Sequence, residues 1–200
     1  MNPLRYDLKI IASWIAPGSK ILGLGCGEGD LLYWLKREKQ VIERGIEIKE
    51  SKVVACIERG LSVLQGDINE EIQDYPDNAF DYAICSQTLQ QVYEPAALIR
   101  SMLRVAKMGV VSFPNFGHVK IRLKLATSGC APVTEELPYS WHDTPNIRVL
   151  SLDDFKRFAD QTGFKILKKA AINTNGDQGK RVRIFPNLFA GYGIFLIGKE

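Results

Sequence analysis

Apolar positions along the chain switch between helical and strand spacing. Leu4, Leu8, Ile11 and Ile15 recur one or two turns apart until Pro17-Gly18, which predicts an amphipathic N-terminal helix. Lys20 to Leu24 reads as a strand. Asp30 to Glu38 reads as a helix with Leu31, Leu32 and Leu35 on one face, and Arg44 to Ile48 as a second strand. Glu50 to Arg59 turns Val53, Val54 and Ile57 to one side, and Gly60 suits the left-handed residue that stops a helix. Leu61 to Gln65 is the third strand. Phe80 to Ser86, after the turn Pro76-Asp77-Asn78, is the fourth. Pro95 opens a helix carrying Leu98, Met102 and Leu103 toward a fifth strand, Val110 to Phe113.

Strands alternating with helices in this way build βαβ units around a parallel sheet. Pro114 to Val149 is less regular; within it Val119 to Leu125 alternates at period two but is read as a helix. Ser151-Leu152-Asp153-Asp154 forms a capping box for a helix that buries Phe155 and Phe158 and stops at Gly163. Phe164 to Ile172 and Gly193 to Gly198 complete the sheet, joined by a polar loop, Asn173 to Arg181. The expectation is one α/β domain over residues 1–200, with a seven-stranded, mostly parallel sheet, helices on both faces and a helical cap at 1–18.

Composition narrows the class. At 200 residues, 46% hydrophobic and 24% charged, the chain supports one packed core. No stretch reaches the roughly 18 consecutive apolar residues of a membrane span. Arg5 and Lys9 before a short apolar run imitate a secretory leader, but Asp7 interrupts the basic region and no small-residue cleavage site follows. Cys26, Cys56, Cys85 and Cys130 match neither a zinc ribbon nor a disulfide scaffold, which predicts reduced thiols and a cytoplasmic setting. His118 and His142 stand in no carboxylate-histidine cluster, so no metal is expected. The net charge of +3 divides into −4 over residues 1–100 and +7 over 101–200. A split of that size reads as a solvated face, and a nucleic-acid partner is disfavoured.

Ile21-Leu-Gly-Leu-Gly-Cys-Gly-Glu-Gly29 ends a strand and opens a helix, the place where open α/β sheets bind nucleotide-like ligands. Three spaced glycines also suit an ordinary tight turn, so the surrounding residues decide. A dinucleotide fingerprint needs glycine at position 30, where Asp30 stands beside Glu28, and two carboxylates repel a pyrophosphate. S-adenosylmethionine has no phosphate and carries a positive sulfonium and ammonium, which an acidic rim tolerates. Glu47, 22 residues after Gly25, is placed for ribose hydroxyls at the end of the second strand, although an exposed strand-end glutamate is the plain alternative. Asp67 is placed for the adenine amine, with Ile48 and Ile68 over the ring faces. The expected cofactor contacts along this stretch are Gly25, Cys26, Gly27, Gly29, Glu47, Ile48, Asp67 and Ile68.

In this order, the glycine motif, Glu47, Gly66-Asp67 and Phe80-Asp81 resemble the class I methyltransferase superfamily, whose fold is Rossmann-like. More closely, Gln65-Gly-Asp67, Ser86-Gln-Thr-Leu-Gln90, Val111-Ser-Phe-Pro-Asn-Phe-Gly-His118, Leu137-Pro-Tyr139 and Trp141-His-Asp-Thr-Pro-Asn-Ile147 resemble the MetW family of methionine biosynthesis proteins. The resemblance implies a methyltransferase fold acting with homoserine O-acyltransferase. It adds Ser86 and Gln87 as residues facing cofactor and acceptor, and residues 114–150 as a lid or acceptor region. The superfamily normally has an acidic residue where this chain has Gly23; loss of one charge-assisted contact costs on the order of 1.5–3 kcal/mol, so S-adenosylmethionine binding is expected to be weak.

Direct displacement at a sulfonium needs alignment more than a covalent catalyst, and no catalytic residue is assigned. Cys26 reads as a small buried filler rather than a nucleophile. His142 is the better candidate base, but Tyr139, Trp141, His142 and Asp143 read first as an aromatic plug, and Phe113, Pro114 and Phe116 as lid packing. Three functions follow in order: an accessory protein for homoserine acylation, a small-molecule methyltransferase, and an RNA methyltransferase using Lys120, Arg122 and Lys124.

Overall fold

The computed structural model describes residues 3–199. Elements run α1 (Tyr6–Trp14), β1 (Lys20–Leu24), α2 (Asp30–Lys39), β2 (Ile42–Glu47), α3 (Glu50–Glu58), β3 (Val63–Gln65), α4 (Ile68–Glu71), β4 (Phe80–Ser86), α5 (Pro95–Val105) and β5 (Ala106–Pro114). They continue through α6 (Val119–Ser128), α7 (Leu152–Thr162), β6 (Lys165–Asn175), β7 (Gln178–Arg181), α8 (Pro186–Phe189) and β8 (Tyr192–Gly198). Short 3-10 turns at Ile72–Asp74 and Leu89–Gln91 follow α4 and β4. No helix among the described residues is long and apolar enough to cross a membrane.

The strands form one sheet in the order β3-β2-β1-β4-β5-β8-β6-β7. β1 to β5 are parallel, while β8 is antiparallel to both β5 and β6. Successive strand residues face opposite sides, so the core divides in two. Ala83, Cys85, Phe195 and Ile197 join the core under α5 and α7, and Tyr82, Ile84, Ile194 and Leu196 join the core under α1 and α2. Leu4, Leu8, Ile11 and Ile15 are all buried, as the N-terminal stripe predicts.

The sheet has eight strands rather than seven. Asn173 to Arg181, expected as a loop, extends β6 and returns as β7, with Asn175 paired to Gln178 across Gly176-Asp177. β7 is exposed along its whole length. An edge hairpin needs no apolar face, so hydrophobic periodicity gives no sign of it, although the Gly176-Asp177 pair is itself a hairpin signal. β5 begins at Ala106, earlier than expected, because α5 runs into it without a loop.

β1 and β4 are neighbours, and β2 and β3 lie on the far side of β1. Chain direction across the sheet therefore reverses between β1 and β4. A crevice opens at the carboxyl ends of strands at such a switch point.

Candidate functional site

The turn after β1 is held by its own surroundings. Gly25 and Cys26 N–H groups donate to the Ile46 carbonyl at 2.9 and 3.2 Å, and the Gly29 N–H donates to the Cys26 carbonyl at 3.1 Å. The Gly27 N–H donates to Glu47 Oε2 at 2.8 Å, and the Lys49 N–H donates to Glu47 Oε1 at 3.0 Å. Glu47 is 5% exposed, a burial that these two donors make tolerable. Each carboxylate oxygen keeps further acceptor capacity. With four loop N–H groups engaged, this turn is not the open amide cradle that phosphates use.

Asp67 caps α4, its Oδ1 accepting from the Asn69 N–H and side-chain amide at 2.7 and 2.8 Å. Ile48 is exposed beside it, whereas Ile68 is packed into the core. Ser86 Oγ lies 2.9 Å from Ser112 Oγ at the end of β4. Gln87 follows in a left-handed conformation, φ 53°. Its N–H donates to the Ser112 carbonyl at 2.8 Å and its side-chain amide to Asp7 Oδ2 at 2.8 Å. Asp7 is buried and also accepts from Arg5 Nε and Nη2 at 3.2 and 2.8 Å. This chain of polar contacts ties α1 to the end of β4.

These strand ends enclose a cavity of about 760 Å³. Gly25, Cys26, Gly27, Glu47, Ile48, Asp67, Ile68, Ser86 and Gln87 all line it. Gly29 is not part of that wall; it is the left-handed N-cap of α2 behind the loop. Arg5 and Leu8 close the cavity on one side, and Tyr93, Tyr139 and Pro145 contribute elsewhere. Burial, then Cys56 and Glu47, push the Cys26 thiol well above its ordinary value, so it stays protonated and is a poor nucleophile.

The family described as methionine biosynthesis protein MetW matches residues 5–197. The chain belongs to the MetW family. It is 31% identical over 208 residues to the bifunctional methionine biosynthesis protein MetXA/MetW of Rhodopirellula baltica, covering 98% of this chain and 33% of that protein. A ubiquinone biosynthesis O-methyltransferase of Hahella chejuensis is 30% identical over 149 residues, 72% of this chain and 62% of the relative. The chain thus spans less than two thirds of either relative. A SAM-dependent methyltransferase from Thermotoga maritima, titled a possible histamine N-methyltransferase, superposes with a TM-score of 0.70 at 18% identity. The match covers 98% of this chain and 88% of that one, and at this identity the likeness is one of fold. The MetW-family chain therefore has the α/β methyltransferase fold.

In this MetW-family chain the expected aromatic cluster divides. Tyr139 reaches the cavity, but Trp141 and His142 do not line it; Trp141 is 78% exposed, edge-on to His142 at 5.6 Å. Phe113 is not lid packing. It lies fully buried in β5, stacked on Phe195 at 5.6 Å and tilted against Phe155 at 5.2 Å, because β5 is an interior strand of the sheet. Arg122 and Lys124 donate to the Gly117 and Val133 carbonyls. Sequence reasoning missed Arg5 and Asp7. The available signal was an acid at position 7, between Leu4 and Ile11 on the otherwise apolar face of a helix.

Proposed function

We propose that the cavity binds S-adenosylmethionine and that this chain serves methionine biosynthesis as an accessory to homoserine O-acyltransferase. The observation that carries the first half is the convergence of the glycine turn, Glu47 and Asp67 on one cavity. The open acceptor positions of Glu47 suit ribose hydroxyls, and Asp67 suits the adenine amine, with Ile48 and Ile68 against the ring. Gly25, Cys26 and Gly27 let the ligand approach the backbone, and Gly29 supports them from behind. Ser86 and Gln87 divide cofactor from acceptor space. Residues 3–18, the described part of the expected 1–18 cap, act as a cap and 114–150 as a lid on a single domain. The cofactor would supply a methyl group activated on sulfonium. In this reading the protein works in the cytoplasm, where its thiols stay reduced.

The partner half is supported by family membership and by a relative whose name joins MetXA and MetW. Its test is homoserine acylation by the purified acyltransferase with and without this chain. A rise of several-fold on addition is expected; no change would remove the accessory role.

A second reading, a small-molecule methyltransferase, is favoured by the extension of the cavity to Tyr93, Tyr139 and Pro145 and by the O-methyltransferase relative. It requires methylated product that disappears when Glu47 and Asp67 are replaced.

A further inference from the structure

The two ends of the cavity are built differently. At the β2 and β3 end a buried carboxylate, Glu47, and the cap residue Asp67 stand ready. At the β1 and α1 end the wall is Gly23, Leu31, Leu32 and Leu8, with Arg5. A Cβ at Gly23 would lie 3.2 Å from both methyls of Leu32 and 3.3 Å from Cys26 Cβ. Apolar groups thus fill the space into which an acidic side chain at position 23 would grow.

Of the charged groups at this end, Asp30 and Arg5 already have partners, and the Glu28 side chain is exposed to water. Asp30 Oδ1 is paired with Arg59 at 2.7 Å, and its side chain is 63% exposed. The same guanidinium also holds the Glu28 carbonyl at 2.7 Å. Arg5 is committed to Asp7, which in turn is held by Gln87. Lys49 and Lys52 belong to the other end, after β2. An amino-acid tail entering here would compete with formed ion pairs and with water, and exposed ion pairs add little to affinity. The nucleoside, in contrast, meets a desolvated carboxylate, where charge-assisted hydrogen bonds are strongest.

We infer that the cavity selects the 5′-thioether nucleoside and is indifferent to the amino-acid tail beyond the sulfur. Its ligand class is therefore adenosine 5′-thioethers, including 5′-methylthioadenosine, and not only S-adenosylmethionine and its demethylated product. This rests on the reading of the cavity as an S-adenosylmethionine site.

S-adenosylhomocysteine and 5′-methylthioadenosine are both uncharged at sulfur, and differ in that the first carries the tail and the second a methyl group. Calorimetric titration of the full chain with each compares the tail directly. The expected dissociation constants lie within about tenfold of one another, and Glu47→Gln weakens both alike. S-adenosylhomocysteine binding more than about tenfold tighter would overturn the selectivity while leaving the cavity reading intact. 5′-Methylthioadenosine binding that ignores Glu47→Gln would also overturn it, by placing that ligand elsewhere. If neither compound bound, the cavity reading itself would fall, and the selectivity with it.

Discussion

Gly27 and Gly29 share a left-handed backbone, φ 60° and 77°, in different surroundings. A Cβ at Gly27 meets nothing within 4 Å, whereas one at Gly29 would lie 2.4 Å from Leu61 Cδ1 and 2.9 Å from Cys56 Sγ. Gly27→Ala is expected to cost about 1–2 kcal/mol of stability, the price of the backbone alone. Gly29→Ala adds overpacking of a buried leucine, for about 2–5 kcal/mol in all. Urea unfolding of both variants checks this, and equal losses would contradict the geometry. At this scale the glycine turn, Glu47 and Asp67 were legible because each sits at a fixed distance in sequence from a strand end. The Asp7–Gln87 hydrogen bond was not, because its partners are 80 residues apart and meet only after α1 folds over the sheet.

Single carboxylates also fasten whole elements. Asp81, at the start of β4, accepts from Lys107 in β5 at 2.8 Å and from the Lys20 N–H of β1 at 2.9 Å. The Lys107 hydrogen bond first, and the Lys20 N–H next, hold its carboxyl below the ordinary aspartate value. Asp154 is likewise lowered, chiefly by the Ser151 hydroxyl in the capping box of α7. Groups with a depressed folded pKa stabilise fully above their unfolded value and lose that contribution as pH falls through the folded value. Stability should therefore decline below about pH 4, and Asp81→Asn should flatten that decline in urea midpoints measured against pH. An unchanged acid slope in the variant would show that Asp81 does not clamp the strands. Element identity was largely legible, since α2, α5 and α7 carry strong apolar stripes and α7 a complete capping box. Element length was less so: β7 pairs at the sheet edge without an apolar face, and the first residues of β5 are hidden behind the end of α5.

Across the whole molecule, the ends of the parallel strands β1 to β4 frame the cavity, and three antiparallel contacts among β5, β8, β6 and β7 extend the sheet. The alternation of strand and helix made the parallel half readable from sequence, and the switch between β1 and β4 then places a cavity where chain order reverses. Leu8 belongs to the periodic stripe of α1, whereas the walls added by Arg5, Tyr139 and Pro145 come from segments outside helices and strands whose positions no periodicity encodes. In the proposed function Glu47 is the group through which this cavity grips a nucleoside. Calorimetric titration with S-adenosylmethionine, on the wild-type chain and Glu47→Gln, tests it most directly. Saturable binding of one ligand per chain is expected, with a loss of about ten- to a hundredfold in the variant, the value of a charge-assisted hydrogen bond. Binding of equal strength in both proteins, or none in the wild type, would contradict it.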